Sequence, residues 1–166
     1  MRLIVLLAIA LLASACGLRP LYSGGSGGNV AQTLGSVAVG PIGGGRSGWL
    51  VRTALQDRLG NSEPAQARYR LEVELDDDIT SFGIRSDDAA TRERRTLRAR
   101  YRLVDASVGT VLLDATAGSD VGIDVVSSEY ATVAAEQTAL ERLSREIADQ
   151  IVTRVAIYAS RTAAGQ

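Results

Sequence analysis

Two stretches of strict alternation constrain this chain more than anything else in it. Tyr69, Leu71, Val73 and Leu75 alternate with Arg68, Arg70, Glu72, Glu74 and Asp76, and later Leu97, Ala99, Tyr101 and Leu103 alternate with Arg98, Arg100 and Arg102. Successive side chains of a strand point to opposite faces, so each stretch predicts a strand with one buried and one wet face. As antiparallel neighbours the two place Glu72 and Glu74 on the same face as Arg98, Arg100 and Arg102. Opposite charges across a strand pair favour that pairing by about a few tenths of a kcal/mol each.

The remaining elements follow from turn chemistry and helical spacing. Asp105 to Gly109 is a hairpin turn into a third antiparallel strand, Thr110 to Thr116. Upstream, Ser36 to Val39 is a short strand and Gly40 to Gly48 a glycine-rich loop. Trp49 to Leu59 has helical spacing, with Val51, Leu55 and Leu59 on one stripe, Ser47 as N-cap and Gly60 just past the end. Residues 78–95 read as a long hairpin tip and residues 117–128 as loop. A long helix then runs from Tyr130 to Ala159. Its Val133, Leu140, Leu143, Ile147, Ile151, Val155 and Tyr158 recur at three- and four-residue steps, and its length is roughly 45 Å. The order β-α-β-β-β-α predicts an α+β two-layer sandwich, a four-stranded mixed sheet with two helices packed on one face. The other face is left displaying Arg and Glu.

The N-terminus reads as a sorting signal. Arg2 precedes an apolar run from Leu3 to Leu12, too short for the roughly 20 residues a membrane-spanning helix needs but suited to a signal peptide. Ala13, Ser14 and Ala15 follow, then Cys16, the sole cysteine of the chain. A small residue before a lone cysteine, directly after such a run, is the pattern of a bacterial lipoprotein signal. Residues 1–15 are therefore expected to be removed and Cys16 to be acylated. No intramolecular disulfide can form. Gly17 is not the aspartate that would retain a lipoprotein at the inner membrane, so the expected location is the outer membrane, on its periplasmic face. Residues 16–33 include the linker-like Ser23 to Gly28 and read as a lipidated tether. A single domain is expected over residues 34–162, with a disordered tail over 163–166.

Two absences exclude whole classes of chemistry. The chain has no His, and all 18 basic residues are Arg. That removes the Ser-His-Asp triad, the Cys-His pair, histidine-ligated zinc and the Schiff-base lysine. A formal net charge of −1 argues against a general nucleic-acid binder. Gly40 to Ser47 matches a phosphate loop except that Arg46 stands where the lysine should be, and no second βαβ unit follows to hold magnesium. The plainer reading is a loop leading into a helix. Asp76, Asp77 and Asp78 with Asp87 and Asp88 lack the spacing of a calcium loop. No catalytic, metal or cofactor residue is assigned. Arg85, Arg92, Arg94 and Arg95 lie on the hairpin beside Phe82 and Ile84. Guanidinium groups bind phosphate bidentately, so this cluster is the candidate contact for a phosphorylated lipid; pairing with Asp87, Asp88 and Glu93 is the plain alternative.

The start Cys16-Gly17-Leu18-Arg19-Pro20-Leu21-Tyr22 resembles the mature N-terminus of the lipopolysaccharide-assembly lipoproteins, the LptE family. The same resemblance covers Tyr69-Arg70-Leu71, Ala90-Thr91-Arg92, Tyr101-Arg102-Leu103-Val104-Asp105 and Ser128-Glu129-Tyr130-Ala131-Thr132. It implies a non-enzymatic lipoprotein that plugs and helps assemble the outer-membrane β-barrel delivering lipopolysaccharide to the cell surface. It also implies contact with lipopolysaccharide itself. The family's basic residue on the strand-to-strand hairpin matches Arg85 loosely, and a second basic position near the last helix falls on Thr132. The rival expectation is an accessory periplasmic lipoprotein of another envelope transporter or of a cell-wall synthase.

Overall fold

The computed structural model describes residues 28–60, 62–84 and 90–164. The expected signal peptide (residues 1–15), Cys16 and Arg85 lie outside them. The elements are α1 (Asn29–Gly35), β1 (Val37–Val39), α2 (Arg46–Leu59), β2 (Tyr69–Ile84), β3 (Ala90–Asp105), β4 (Val111–Asp124) and α3 (Glu129–Ala164). The sheet is four-stranded and open, in the order β1-β2-β3-β4, with β1 parallel to β2 and the other pairs antiparallel.

The expected α+β sandwich is therefore present, with a mixed sheet and its long helices on one face. Leu71 pairs with Leu103, Val73 with Tyr101 and Leu75 with Ala99, which sets one parity of both strands against the helices. Leu71, Leu97, Tyr101 and Leu103 of the sheet are buried with Val51 and Leu55 of α2 and Leu143, Ile147, Ile151 and Val155 of α3 in one core. Arg46 of α2 reaches Glu141 of α3, and Arg58 bonds Asp149 through both carboxylate oxygens. These contacts keep the two helices side by side on one face of the sheet, and no described residue covers the other.

Several elements differ from the sequence reading. Among the described residues there are three helices rather than the two expected. Residues 29–35, expected to be tether up to Thr33, form α1, which turns on the Ser36 hydroxyl bonded to the Thr33 carbonyl at 2.8 Å. Helix α2 begins at Arg46. Its cap is Gly45, and Ser47 is not the N-cap; the Ser47 hydroxyl instead donates to the Gly44 carbonyl at 2.9 Å. The hairpin tip of residues 78–95 is mostly strand: β2 runs on to Ile84 and β3 starts at Ala90, with Asp78 opposite Thr96 and Phe82 opposite Arg92. The expected loop at 117–128 is strand as far as Asp124, held by continuous pairing of Ala117 with Ala99 through Asp124 with Arg92. A register shift between Leu103 and Val104 marks a bulge. The last helix runs from Glu129 to Ala164 and spans about 54 Å.

The turn between β3 and β4 forms as expected. Gly109 has φ 75°, and its N–H donates to the Asp105 carbonyl. The Asp105 carboxylate accepts from the Ser107 hydroxyl at 2.5 Å and the Ser107 N–H at 2.9 Å, which holds its pKa below the usual carboxylate range.

Candidate functional site

The uncovered face of the sheet carries a ladder of ions. Even-numbered positions of the central strand β3 face outward, so Arg92, Arg94, Arg98, Arg100 and Arg102 stand in one row. Acids flank the row on both neighbours. Arg102 bridges Glu72 at 3.2 Å and Glu74 at 3.7 Å on β2. On β4, Arg100 meets Asp114 at 3.0 Å, Arg94 meets Asp120 at 3.5 Å and Arg92 meets Asp124 at 2.9 Å. The hydrogen bond from Arg100 holds the Asp114 carboxyl below its usual range and lifts the guanidinium in return.

These pairs are solvent-exposed and screened by water and salt, so they add little to stability. The ladder's chemistry is exchange: each guanidinium can leave its carboxylate for another polar partner at little cost. At the far end of the ladder Arg94 stands over the Phe82 ring at 5.6 Å, beside Arg92. Phe82 is 39% exposed, so apolar and cationic surface lie together there.

The candidate arginines are thereby divided. Arg92 and Arg94 share the outer face at the tip. Arg95 does not join them: it faces the helices, binds Asp77 at 2.8 and 2.9 Å through both carboxylate oxygens, and donates to the Glu136 carbonyl of α3 at 3.1 Å. Its bond to Asp77 is the main cause of its raised pKa. The partners of all three differ from the acids near them in sequence, and Asp87 and Asp88 lie outside the described residues. Thr132 faces inward at the start of α3, buried, with its hydroxyl between the Val126 N–H and the Ser128 carbonyl at 3.4 Å each.

The acids of β4 escaped sequence reasoning because Gly118 and Gly122 interrupt the hydrophobic alternation. The signal was present in the other parity, where Ala117, Ser119, Val121 and Ile123 alternate with Gly118, Asp120, Gly122 and Asp124. The carbonyl oxygens of Ile42 and Gly43, not amide groups, crowd the first turn of α2 at Gly48. Among the described residues no cluster of three or more acidic or Cys residues is placed to hold a metal, and no helix is long and apolar enough to cross a membrane.

Comparisons with known proteins bear on the family and the fold of the chain. A family model described as lipopolysaccharide-assembly, LptE, matches residues 34–155. A lipoprotein from Caulobacter crescentus CB15 is similar in structure, with TM-score 0.65 and 28% identity over 81% of this chain and 98% of that one. Lipoprotein B from Nitrosomonas europaea gives TM-score 0.58 at 13% identity, covering 75% of this chain and 83% of that one. A minor lipoprotein from Acinetobacter baumannii gives 0.59 at 12% identity, covering 73% and 90%. The last two share the fold alone. No curated protein matches the sequence.

Proposed function

This chain belongs to the LptE lipopolysaccharide-assembly family, and from that premise we propose that it is an outer-membrane lipoprotein, anchored through Cys16, that plugs and helps assemble the β-barrel translocon for lipopolysaccharide. The observation that carries the reading is the ion ladder on the uncovered face. A protein that sits in the lumen of a large barrel must present polar groups to polar walls and water. A ladder of surface ion pairs meets that need without exposing a broad greasy face, and each pair can trade its partner for a lumen residue. The helices on the opposite side keep the sheet rigid while it does so. No step of this role requires catalysis.

Lipopolysaccharide contact falls to the tip. Arg92 and Arg94, with Arg85 on the same hairpin, are suited to the phosphates of the lipid, and Phe82 beside them to its apolar part. Arg95 leaves the set because its donors are already engaged with Asp77 and Glu136.

Purification of the tagged full chain from detergent-solubilised envelopes tests the first part. A co-purifying outer-membrane barrel is the expected result. Recovery of the chain alone, or with a different transporter or a cell-wall synthase, overturns it. Mass spectrometry of the mature N-terminus is expected to find Cys16 acylated. For the tip, the combined Arg85→Ala, Arg92→Ala and Arg94→Ala variant is expected to bind lipopolysaccharide about tenfold more weakly in a direct binding assay, as lost charge-assisted bonds on an exposed surface imply. Unchanged affinity removes the site.

A further inference from the structure

Among the described residues strand β4 is an edge of an open sheet, and an unpaired edge of that length is a template for another strand. At its middle the main chain is occupied by a side chain. The Gly118 N–H donates to Gln150 Oε1 at 3.2 Å, and Gln150 Nε2 donates back to the Gly118 carbonyl at 3.1 Å. The carboxamide thus makes the two bonds that a neighbouring strand would make. Because both polar groups of Gly118 turn to α3, they turn away from Arg98 on β3. By the alternation of an antiparallel ladder, Asp114, Thr116, Asp120, Gly122 and Asp124 present theirs to the same open side.

Gln150 belongs to a stripe of α3 that follows this edge. Four residues before it, Glu146 accepts from the Ser119 hydroxyl at 2.6 Å and from Arg142 at 2.9 Å. Four residues after it, Arg154 lines the same depression as Asp114, Ala115 and Thr116. Of these contacts, only the Gln150 amide engages the β4 backbone.

The register of the edge says what it would otherwise accept. In a two-fold antiparallel pairing of β4 with β4 of another molecule, the two longest registers that keep like faces together centre on residue 117 or residue 118. The first sets Asp114 against Asp120, a direct like-charge clash. The second sets Asp114 against Gly122, Thr116 against Asp120, Ala115 against Val121 and Leu113 against Ile123. No acid faces an acid, and small apolar residues meet on the helix side. This favoured register centres on Gly118, the residue whose hydrogen-bonding groups Gln150 fills.

We propose that the Gln150 carboxamide is a latch that keeps the β4 edge from pairing with the β4 edge of a second copy of this chain. It occupies the backbone groups at the centre of the favoured register, where a continuous ladder would have to form. The latch is a side chain at the surface, so it releases without unfolding anything else.

The test uses the full chain in detergent, with circular dichroism to establish folding. Gln150→Ala is expected to tighten self-association by about tenfold in sedimentation velocity, since two competing hydrogen bonds are gone. Adding Gly122→Pro, which removes an outward N–H from the edge, is expected to restore the monomer. To locate the pairing, Gly118→Cys is placed in a Cys16→Ser background, with and without Gln150→Ala. Mild oxidation is expected to cross-link the chain through residue 118 only where Gln150 is absent. A folded Gln150→Ala chain that stays as monomeric as the wild type overturns the proposal. So does a dimer that does not cross-link at residue 118, which would point to the open stretch of β2 beyond β1. Should Gln150→Ala fail to fold, Gln150→Glu keeps an acceptor for the Gly118 N–H and loses the donor to its carbonyl. Self-association between wild type and the fully unlatched level is expected of it, and wild-type behaviour overturns the latch.

Discussion

Gly48→Ala is expected to destabilise the fold by about 3 kcal/mol, at the upper end of what overpacking costs. A methyl group built there lies 2.3 Å from the Gly43 carbonyl oxygen and 2.6 Å from that of Ile42. Both atoms are backbone, and no rotamer change relieves the contact. The loop cannot retreat freely, because the neighbouring Gly44 and Gly45 have φ of 98° and 60° and the Gly44 carbonyl is held by Ser47. Alanine gains about 1 kcal/mol of intrinsic helix propensity over glycine, which offsets only part of the clash. A midpoint lower by roughly 10 °C in thermal melting is the expected reading. Gly43→Ala is the control. Nothing lies within 4 Å of its added methyl and its backbone φ is not left-handed, so a change near zero is expected there. Equal losses at the two positions would show that the tight approach at Gly48 is not what the loop is built around. Gly48 thus permits a close approach of the loop backbone to the first turn of α2.

What the sequence disclosed, it disclosed through period. The alternation of Tyr69 to Leu75 and Leu97 to Leu103 points to antiparallel neighbours with Glu72 and Glu74 on the face of Arg98, Arg100 and Arg102, and the structure supplies the register, Glu72 opposite Arg102 and Glu74 opposite Arg100. The stripe of α3 and its place over the sheet were legible for the same reason. The failures lie where composition masks period. Residues from Asp78 onward read as hairpin tip, yet they sit in β2 because cross-strand partners on β3 override local preference. Residues 117–124 look like a loop because glycine and aspartate fill one parity. Helix α1 has too few apolar positions to show a stripe. The division of the arginine cluster was legible and passed over: counting back from buried Leu97 places Arg95, but not Arg92 or Arg94, on the helix side. The Gln150 contact with Gly118 could not be found this way, since a polar residue on a helix surface carries no sign of the backbone it will reach.

Arg95→Ala is expected to cost about 2–3 kcal/mol, far more than loss of any outward-facing arginine of β3. The side chains of Arg95 and Asp77 are only 13% and 19% exposed, against 64% and 59% for Arg92 and Arg94. Removing the guanidinium leaves the Asp77 carboxylate withdrawn from water with its two-pronged partner gone, and frees the Glu136 carbonyl on α3. Breaking one side of a fully buried pair costs about 3–5 kcal/mol, and the residual exposure here scales that down. Asp77→Ala is expected to cost a similar amount by stranding the cation. The decisive variant replaces both, Asp77→Leu with Arg95→Leu. Two apolar side chains on the helix face, between Ile79 and Leu97 in register, need no partner, and the double variant is expected to recover to within about 1 kcal/mol of wild type. Urea denaturation of the four chains gives the coupling directly. A double variant as unstable as the sum of the singles would mean that the pair acts through its bond to α3 and not through mutual neutralisation. The same series separates stability from ligand contact. Arg95→Ala is expected to lower the unfolding midpoint while leaving lipopolysaccharide affinity of the folded chain unchanged, whereas the Arg85, Arg92 and Arg94 replacements are expected to do the reverse. A loss of affinity in folded Arg95→Ala would return Arg95 to the binding set and count against a tip site confined to the outer face.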